Sequence, residues 1–350
     1  MRSGYFKVDY RRDRELFPLF IERLVLAVAV VAAIILPLIT DRYLLHLTNL
    51  TMIAIVGAIG LNLLMGYTGQ VSLGHAAFLA IGGYTTAIVA GYLPQLPFPV
   101  VILIAGAVTS VTGLLAAVPA FRLKGLYLAL STLAFYYIVM FIILKAEPLT
   151  GGAMGRHIPE LNFFGLELDG EYAFYPVGLA IVVLGLVLAK NLLRTKTGRA
   201  WKAIRDWDLA AEAMGVNLRM YKTLSFTTGA FYAGVAGSLY AYYIGFISPQ
   251  DFTFTVSVNY IAMVIVGGMG TLAGTVAGAA FITMLPNWIN QLAGYLQSLW
   301  PAFQASTAVP YLERLFFGLA IVLFLIFEPE GLFGLWKSLR NYLVMWPFRY

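Results

Sequence analysis

The chain has 350 residues, of which 60% are hydrophobic and only 11% charged, and its mean hydropathy is +0.81. A soluble domain with so little charge would present an aggregating surface, so the composition excludes one and points to a polytopic membrane protein. The net charge of +6 sits in loops beside apolar runs and gives no sign of nucleic acid, and the lack of cysteine excludes disulfides, thiolate metal sites and a thiol nucleophile.

The apolar runs are continuous and mostly eighteen residues or longer. A transmembrane β-barrel would instead alternate in segments of about ten residues. Residues 1–23 are charged, have no apolar core of a cleavable leader, and are expected in the cytoplasm. Spans are predicted at about 23–40, 48–65, 74–91, 98–119 and 126–145, with a basic turn at 120–125 carrying Arg122 and Lys124. Residues 146–172 hold Glu147, Glu160, Glu167, Asp169 and Glu171 against Arg156 and read as an acidic, solvated outer loop. A sixth span at about 173–189 leads into the largest polar segment, 190–222, and a seventh follows at 223–246. Residues 255–288 are apolar but broken at Gly267-Gly268-Met269-Gly270 and Gly274, which predicts two short helices as spans eight and nine. Residues 289–312 read as an interfacial segment, 313–328 as the last span, and 329–350 as a basic tail.

This makes one transmembrane domain over 1–350, all-α, with about ten spans, broken helices and a layout compatible with an inverted five-helix repeat. With both termini, 120–125 and 190–222 inside, all of the 23 Lys and Arg fall inside except Arg42, Lys145, Arg156 and Arg314. An even number of spans keeps the basic tail on that side.

The stretch Gly60–Phe78 interrupts two apolar runs with four glycines and uncharged polar side chains. Backbone groups in hydrocarbon must be paired, so such a break is tolerated only inside protein or beside a water-filled path. Asn62, Gly66, Gly69, Gln70, Ser72 and His75 here, with Asn259, Gly267, Gly268 and Gly270 in the second break, are the candidate translocation-path residues. A helix starting near Gly74 would offer free amides to a carboxylate. The competing reading is that these groups cap broken helix ends and bond across helices. No Asp, Glu, Lys or Arg sits mid-span, which argues against an ion-coupled secondary transporter. Three scattered histidines make no metal site.

Between Arg199 and Met214 the pattern predicts a cytoplasmic helix whose Ile204, Trp207, Ala211 and Met214 form one apolar stripe, ended by Gly215. Arg205, Asp208 and Glu212 lie beside or opposite that stripe. Three acids in seven residues disfavour an anionic leaflet, so a groove on a partner protein is the better fit.

Ala210-Ala211-Glu212-Ala213-Met214-Gly215-Val216 resembles the coupling run of permeases in ATP-binding-cassette importers. Gly60–Phe78, Asn259–Gly274 and Glu328-Pro329-Glu330-Gly331-Leu332-Phe333 are similar to signatures of the branched-chain amino acid permeases of that class, and the length and acidic outer loop look like the M-type subunit. The resemblance implies a bacterial or archaeal inner-membrane complex. In it, an H-type second permease, two ATPases that bind ATP and Mg, and an extracytoplasmic binding protein would work with this chain. Arg205, Trp207 and Ala211 to Gly215 would then couple to an ATPase. The chain itself has no Gly-x-x-x-x-Gly-Lys-Ser/Thr loop, so it is expected to be neither an enzyme nor a cofactor binder. The alternatives are the same machine carrying urea, amides or other small solutes, or a secondary transporter.

Overall fold

The computed structural model describes residues 31, 33–159, 162–163, 166–167, 170–299, 330–345 and scattered positions between 312 and 328. Residues 23–30 and 32 of the predicted first span, the segment 300–311 and part of the last span lie outside the described residues. Two compact units are distinguished, Met1–His46 and Leu47–Tyr350. The described part of the first is helical over 33–39 and again from Arg42.

The second unit is built on helices. They are α1 (Arg42–Leu61, begun in the first unit), α2 (His75–Tyr92), α3 (Phe98–Ala117), α4 (Gly125–Lys145), α5 (Gly170–Arg194), α6 (Lys196–Asp206), α7 (Asp208–Ala213), α8 (Leu218–Ile244), α9 (Phe254–Gly267), α10 (Leu272–Leu299) and α11 (Gly331–Met345). Among the described residues, five helical stretches are long and apolar enough to cross a bilayer: Arg42–Gly66, Phe98–Ala117, Gly125–Lys145, Gly170–Arg194 and Leu272–Tyr295. Exposed Leu103, Val111, Ile138, Phe141, Val183 and Leu184 on three of them form the apolar outer face that lipid would cover.

Helix α8 is the hub, packed against α1, α2 and α3 through residues without bulk. A Cβ on Gly60 would stand 2.6 Å from Gly229 O, and one on Gly82 would stand 2.5 Å from Gly234 Cα. Thr86 Oγ1 donates to Ser238 Oγ at 2.6 Å, and Ser110 Oγ donates to Thr227 O at 3.1 Å. Lipid is as apolar as a leucine side chain, so close backbone approach and interhelical hydrogen bonds replace hydrophobic burial as the glue. This explains why α8 carries so many Gly, Ala and Ser residues among its buried positions.

Several expectations are corrected. The two helices after residue 254 are not both short: α10 runs for 28 residues, carries Pro286 inside it and absorbs 289–299, which had read as interfacial. That stretch is uncharged and carries three Leu and two Gln, good helix formers that prolong the helix past the proline. The segment 146–172 is not wholly a solvated loop. It contains a helical turn, Glu147–Thr150, and β1 (Arg156–His157). Further on, β2 (Asn162–Phe163) pairs with β3 (Leu166–Glu167), while β1 pairs antiparallel with β4 (Phe246–Ile247), Arg156 opposite Ile247. Arg156 donates to Leu149 O and stands 5.3 Å over the Tyr92 ring, which ties this segment to the end of α2. The single helix expected from Arg199 to Met214 is two helices, α6 and α7, separated at Trp207 in extended backbone (φ −163°, ψ 106°).

Candidate functional site

The first break forms in two steps. Helix α1 loosens into a π-helical turn, Asn62–Gly66, and the chain then leaves helical geometry at Gly69 (φ 70°). A π turn leaves local bonding irregular, and here the widened turn puts the Asn62 side chain inside the protein. Asn62 Nδ2 donates to Thr271 O at 3.0 Å and to Thr275 Oγ1 at 2.6 Å, and its Oδ1 accepts from Gly270 N at 2.9 Å. The two glycine breaks, about two hundred residues apart in sequence, therefore meet. Gly66 has no space for a side chain, since Gly270 N would lie 2.5 Å from its Cβ.

The second break is a tight hairpin between α9 and α10. Gly267 packs on Gly274 and Gly278, while Gly268 (φ 113°) and Gly270 (φ 77°) turn the chain in backbone regions open to glycine. Gly331, which opens α11, lies against the backbone of Val266–Gly268, so the Glu330-Gly331 motif closes over this hairpin. Asn259 is half-buried on α9.

The first break lies toward one end of the helices. It begins at the end of the helices that bears α6, α7 and the basic turn: Gly69 is beside Arg205, whose Cα would be 3.6 Å from a Cβ there. From that point the chain re-enters the bundle. Leu73 N donates to Thr132 Oγ1 at 2.9 Å, and Thr132 is seven residues into α4, so α2 starts roughly 10 Å inside that end. At its start, Ala76 N donates to Ser257 Oγ at 2.9 Å and His75 Nε2 is 3.0 Å from Gly57 O, with the His75 ring 5.0 Å from that of Tyr260. Gln70 Nε2 donates to Ser225 Oγ at 2.7 Å and to Thr68 Oγ1 at 3.0 Å. Gln70 Oε1 and Ser72 Oγ are buried and find no partner among the described residues. Asn62 and His75 thus serve as cross-links, while Gln70 and Ser72 keep unspent hydrogen-bonding capacity in the break.

Beneath the breaks lies the polar loop. Trp201 is fully buried and donates from Nε1 to Tyr221 O at 2.9 Å, anchoring α6 on the start of α8. The Arg205 guanidinium reaches Gly270, so one side chain touches both breaks. Past the kink, Ala211 is buried, whereas Trp207 is 66% and Met214 86% exposed, with Leu209, Glu212 and Ala213 also exposed. The expected single stripe is therefore divided: Ile204 and Ala211 face the protein, and Trp207, Leu209 and Met214 face outward. Gly215 (φ 86°) ends α7 in a Schellman turn, Val216 N donating to Ala211 O at 3.0 Å and Gly215 N to Glu212 O at 2.9 Å.

Sequence reasoning missed what holds α7 in place. Asp208, its first residue, pairs with Lys124 at 2.6 Å and with Lys222 at 3.8 Å. The hydrogen bond from Lys124 holds the Asp208 carboxyl below the usual carboxylate range; partial burial opposes this, and the charges of Lys124 and Lys222 reinforce it. The only sequence signal was the short basic turn before α4, whose partner lies 84 residues further on.

Comparisons with known proteins identify the family. The family described as "Branched-chain amino acid transport system / permease component" matches residues 43–325. The high-affinity branched-chain amino acid transport system permease protein LivM of Escherichia coli K12 is 33% identical over 335 residues, covering 89% of this chain and 75% of that protein. A probable branched-chain amino acid transport permease protein LivM from Methanocaldococcus jannaschii is 26% identical, covering 66% of each chain. The autoinducer 2 import system permease protein LsrC of Escherichia coli O9:H4 is 26% identical over 89% of this chain and 88% of its own length. No solved structure matches. A family match over residues 43–325 and 33% identity over most of the chain make this chain a member of the branched-chain amino acid transport system permease family.

Proposed function

We propose that this chain is the M-type permease subunit of an importer that carries branched-chain, hydrophobic amino acids across a bacterial or archaeal inner membrane. Separate ATPase subunits drive it, and an H-type permease and an extracytoplasmic binding protein complete the complex. ATP and Mg belong to the ATPases. Both termini and the α6–α7 loop face the cytoplasm, and the segment 146–172 faces outward.

One observation carries the reading. Arg205 at the end of α6 touches both Gly69 and Gly270, and the next turn exposes Trp207, Leu209 and Met214. An ATPase groove that seats those apolar side chains would pull or push directly on the joined breaks, with Asn62 and Arg205 as the linkage. The coupling residues are Arg205, Trp207, Ala211, Glu212, Ala213, Met214 and Gly215. Gln70 and Ser72, with unused polar atoms in the re-entrant segment, are the path residues best suited to a passing polar group. The LsrC relative supports a second cargo, since a related permease is named for import of autoinducer 2.

Reconstitution of the complete complex in vesicles tests the proposal. ATP-dependent leucine uptake that needs all partners is the expected result, and uptake by this chain alone under an ion gradient would overturn it. Cysteines placed by Glu167→Cys and Lys196→Cys test orientation: an impermeant thiol reagent added outside is expected to label the first only.

A further inference from the structure

At the end opposite the coupling loop, α1, α2, α8, α9 and the turn Pro249–Phe252 enclose a cavity of about 230 Å³. Its wall is aliphatic, with Leu50, Ile53 and Ala54 on α1 and Val256 on α9. Its polar groups come from Tyr240, Tyr260 and Asp251. It is somewhat smaller than the roughly 300–1,000 Å³ that drug-sized ligands occupy, so it suits a small solute.

Asp251 is built into the mouth. Ser248 N and Ser248 Oγ both donate to its Oδ2, at 2.7 and 2.9 Å, in a capping box that fixes the turn. Ser248 follows β4, which pairs with the acidic segment, so this side of the cavity belongs to the acidic end. Tyr240 and Tyr84 both stand close enough to feel its charge, and the buried Tyr84 hydroxyl has no partner among the described residues. Among the described residues no Lys or Arg forms an ion pair with Asp251. A partly buried carboxylate facing an apolar hollow calls for a cation with an apolar body attached. Tyrosine rings add a face on which an ammonium group is favoured.

The floor is Tyr260, which is buried, packs against Gly57 and meets the His75 ring at 5.0 Å. On the far side of that layer begins the re-entrant segment with Gln70 and Ser72. The cavity and the re-entrant segment thus lie on opposite sides of the Tyr260–His75 contact.

We infer that this cavity is a cargo site, in which Asp251 receives the α-ammonium of an amino acid, the Leu50–Ile53–Ala54–Val256 wall receives its aliphatic side chain, and Tyr260 is the gate beneath. The inference rests on the reading of the chain as an importer permease. It narrows the cargo to zwitterions that carry an ammonium group and a small hydrophobic side chain.

The chain has no cysteine, so a single introduced thiol reports on the cavity. In vesicles holding the complete complex, Val256→Cys is expected to react with an impermeant maleimide from the acidic end. Leucine delivered by the binding protein should slow that reaction several-fold, and 4-methylpentanoate, which lacks the ammonium, should not. Asp251→Asn keeps an acceptor for Ser248 but removes the charge, and in the double variant the protection by leucine should be lost. Met154→Cys, at an exposed position of the same end, should label at one rate throughout and so reports that the complex is intact and oriented. Protection that is absent, or unchanged by Asp251→Asn, in vesicles that do import leucine overturns the cargo site while leaving the importer reading standing. Vesicles in which the wild-type complex imports no leucine overturn the importer reading, and the cargo site falls with it.

Discussion

The backbone N–H of Gly270 donates to the side-chain oxygen of Asn62 at 2.9 Å, and this bond joins the two glycine breaks. Asn62 is fully buried and spends its amide nitrogen on Thr271 O and Thr275 Oγ1 as well. Asn62→Ala leaves the half-buried Gly270 N–H without its acceptor, at about 1–3 kcal/mol, and takes a donor from Thr271 O and from Thr275 Oγ1, which keeps its own bond to Thr271 O. The expected outcome is a permease that inserts but melts in detergent several degrees lower and loses transport. A melting curve indistinguishable from wild type would show that the two breaks are held together by other contacts.

The second prediction concerns the helix hub. A Cβ at Gly237 would meet the backbone of Leu79 and stand 3.0 Å from Gly83 N, so there is no flexible side chain to yield. Gly237→Ala is expected to cost about 1–3 kcal/mol by pushing α2 away from α8. Gly237→Leu should prevent accumulation of folded protein. By contrast Gly294→Ala, where no atom lies within 4 Å of a Cβ, should be neutral or slightly stabilising. Equal melting temperatures for Gly237→Ala and Gly294→Ala would contradict the packing described.

Much of this arrangement was readable from residue order, because lipid imposes simple demands. Runs of apolar residues give helices, and Gly66, Gly69 and Gly267–Gly270 announce places where the ladder must stop. Gly215 could be recognised as a helix end because a left-handed residue after Met214 finishes the turn most cheaply. What stayed hidden depends on partners remote in sequence. Nothing near Trp207 shows that Asp208 is drawn to Lys124, yet that pair accompanies the division of one expected helix into two. An apolar periodicity of three and four fits one straight helix or two angled ones equally well, so the outward turn of Trp207 and Met214 needed coordinates. The same holds for Asp251: in the sequence it is a lone acid after a proline, and only the fold sets it over an aliphatic hollow.

The third prediction is a pH dependence. Asp208 has its carboxyl pKa depressed in the folded chain, first by the hydrogen bond from Lys124. A group held in its charged form by folding contributes stability that is present above its unfolded pKa and is lost as pH falls through the lower folded value. The docking of α7 should therefore be constant near neutrality and weaken only below the usual carboxylate range, near pH 4. Hydrogen exchange of residues 208–214 measures this directly. Asp208→Asn should give fast exchange already at neutral pH and remove the acid transition. Because Lys124 is largely exposed, added salt should also speed exchange modestly in the wild type.

The fourth prediction separates the outward face of the coupling segment from its scaffold. Trp207, at 66% exposure, offers a large aromatic surface of the kind that dominates protein interfaces. If an ATPase covers it, Trp207→Ala should cost about 2 kcal/mol of association, roughly a thirty-fold weaker complex, while the melting temperature of the isolated permease barely moves. Glu212→Lys, also exposed, should reverse the local charge and reduce ATPase stimulation without harming insertion. Gly215→Val acts differently. It forces a β-branched residue to φ near 86°, costing about 1–3 kcal/mol, and unwinds the Schellman turn that presents Met214. It should lower both ATPase coupling and protection of α7 from exchange, whereas Trp207→Ala lowers coupling alone. Pull-down of the purified ATPase together with uptake in vesicles distinguishes the two classes. Normal ATPase binding by Trp207→Ala would mean that this face does not receive the motor.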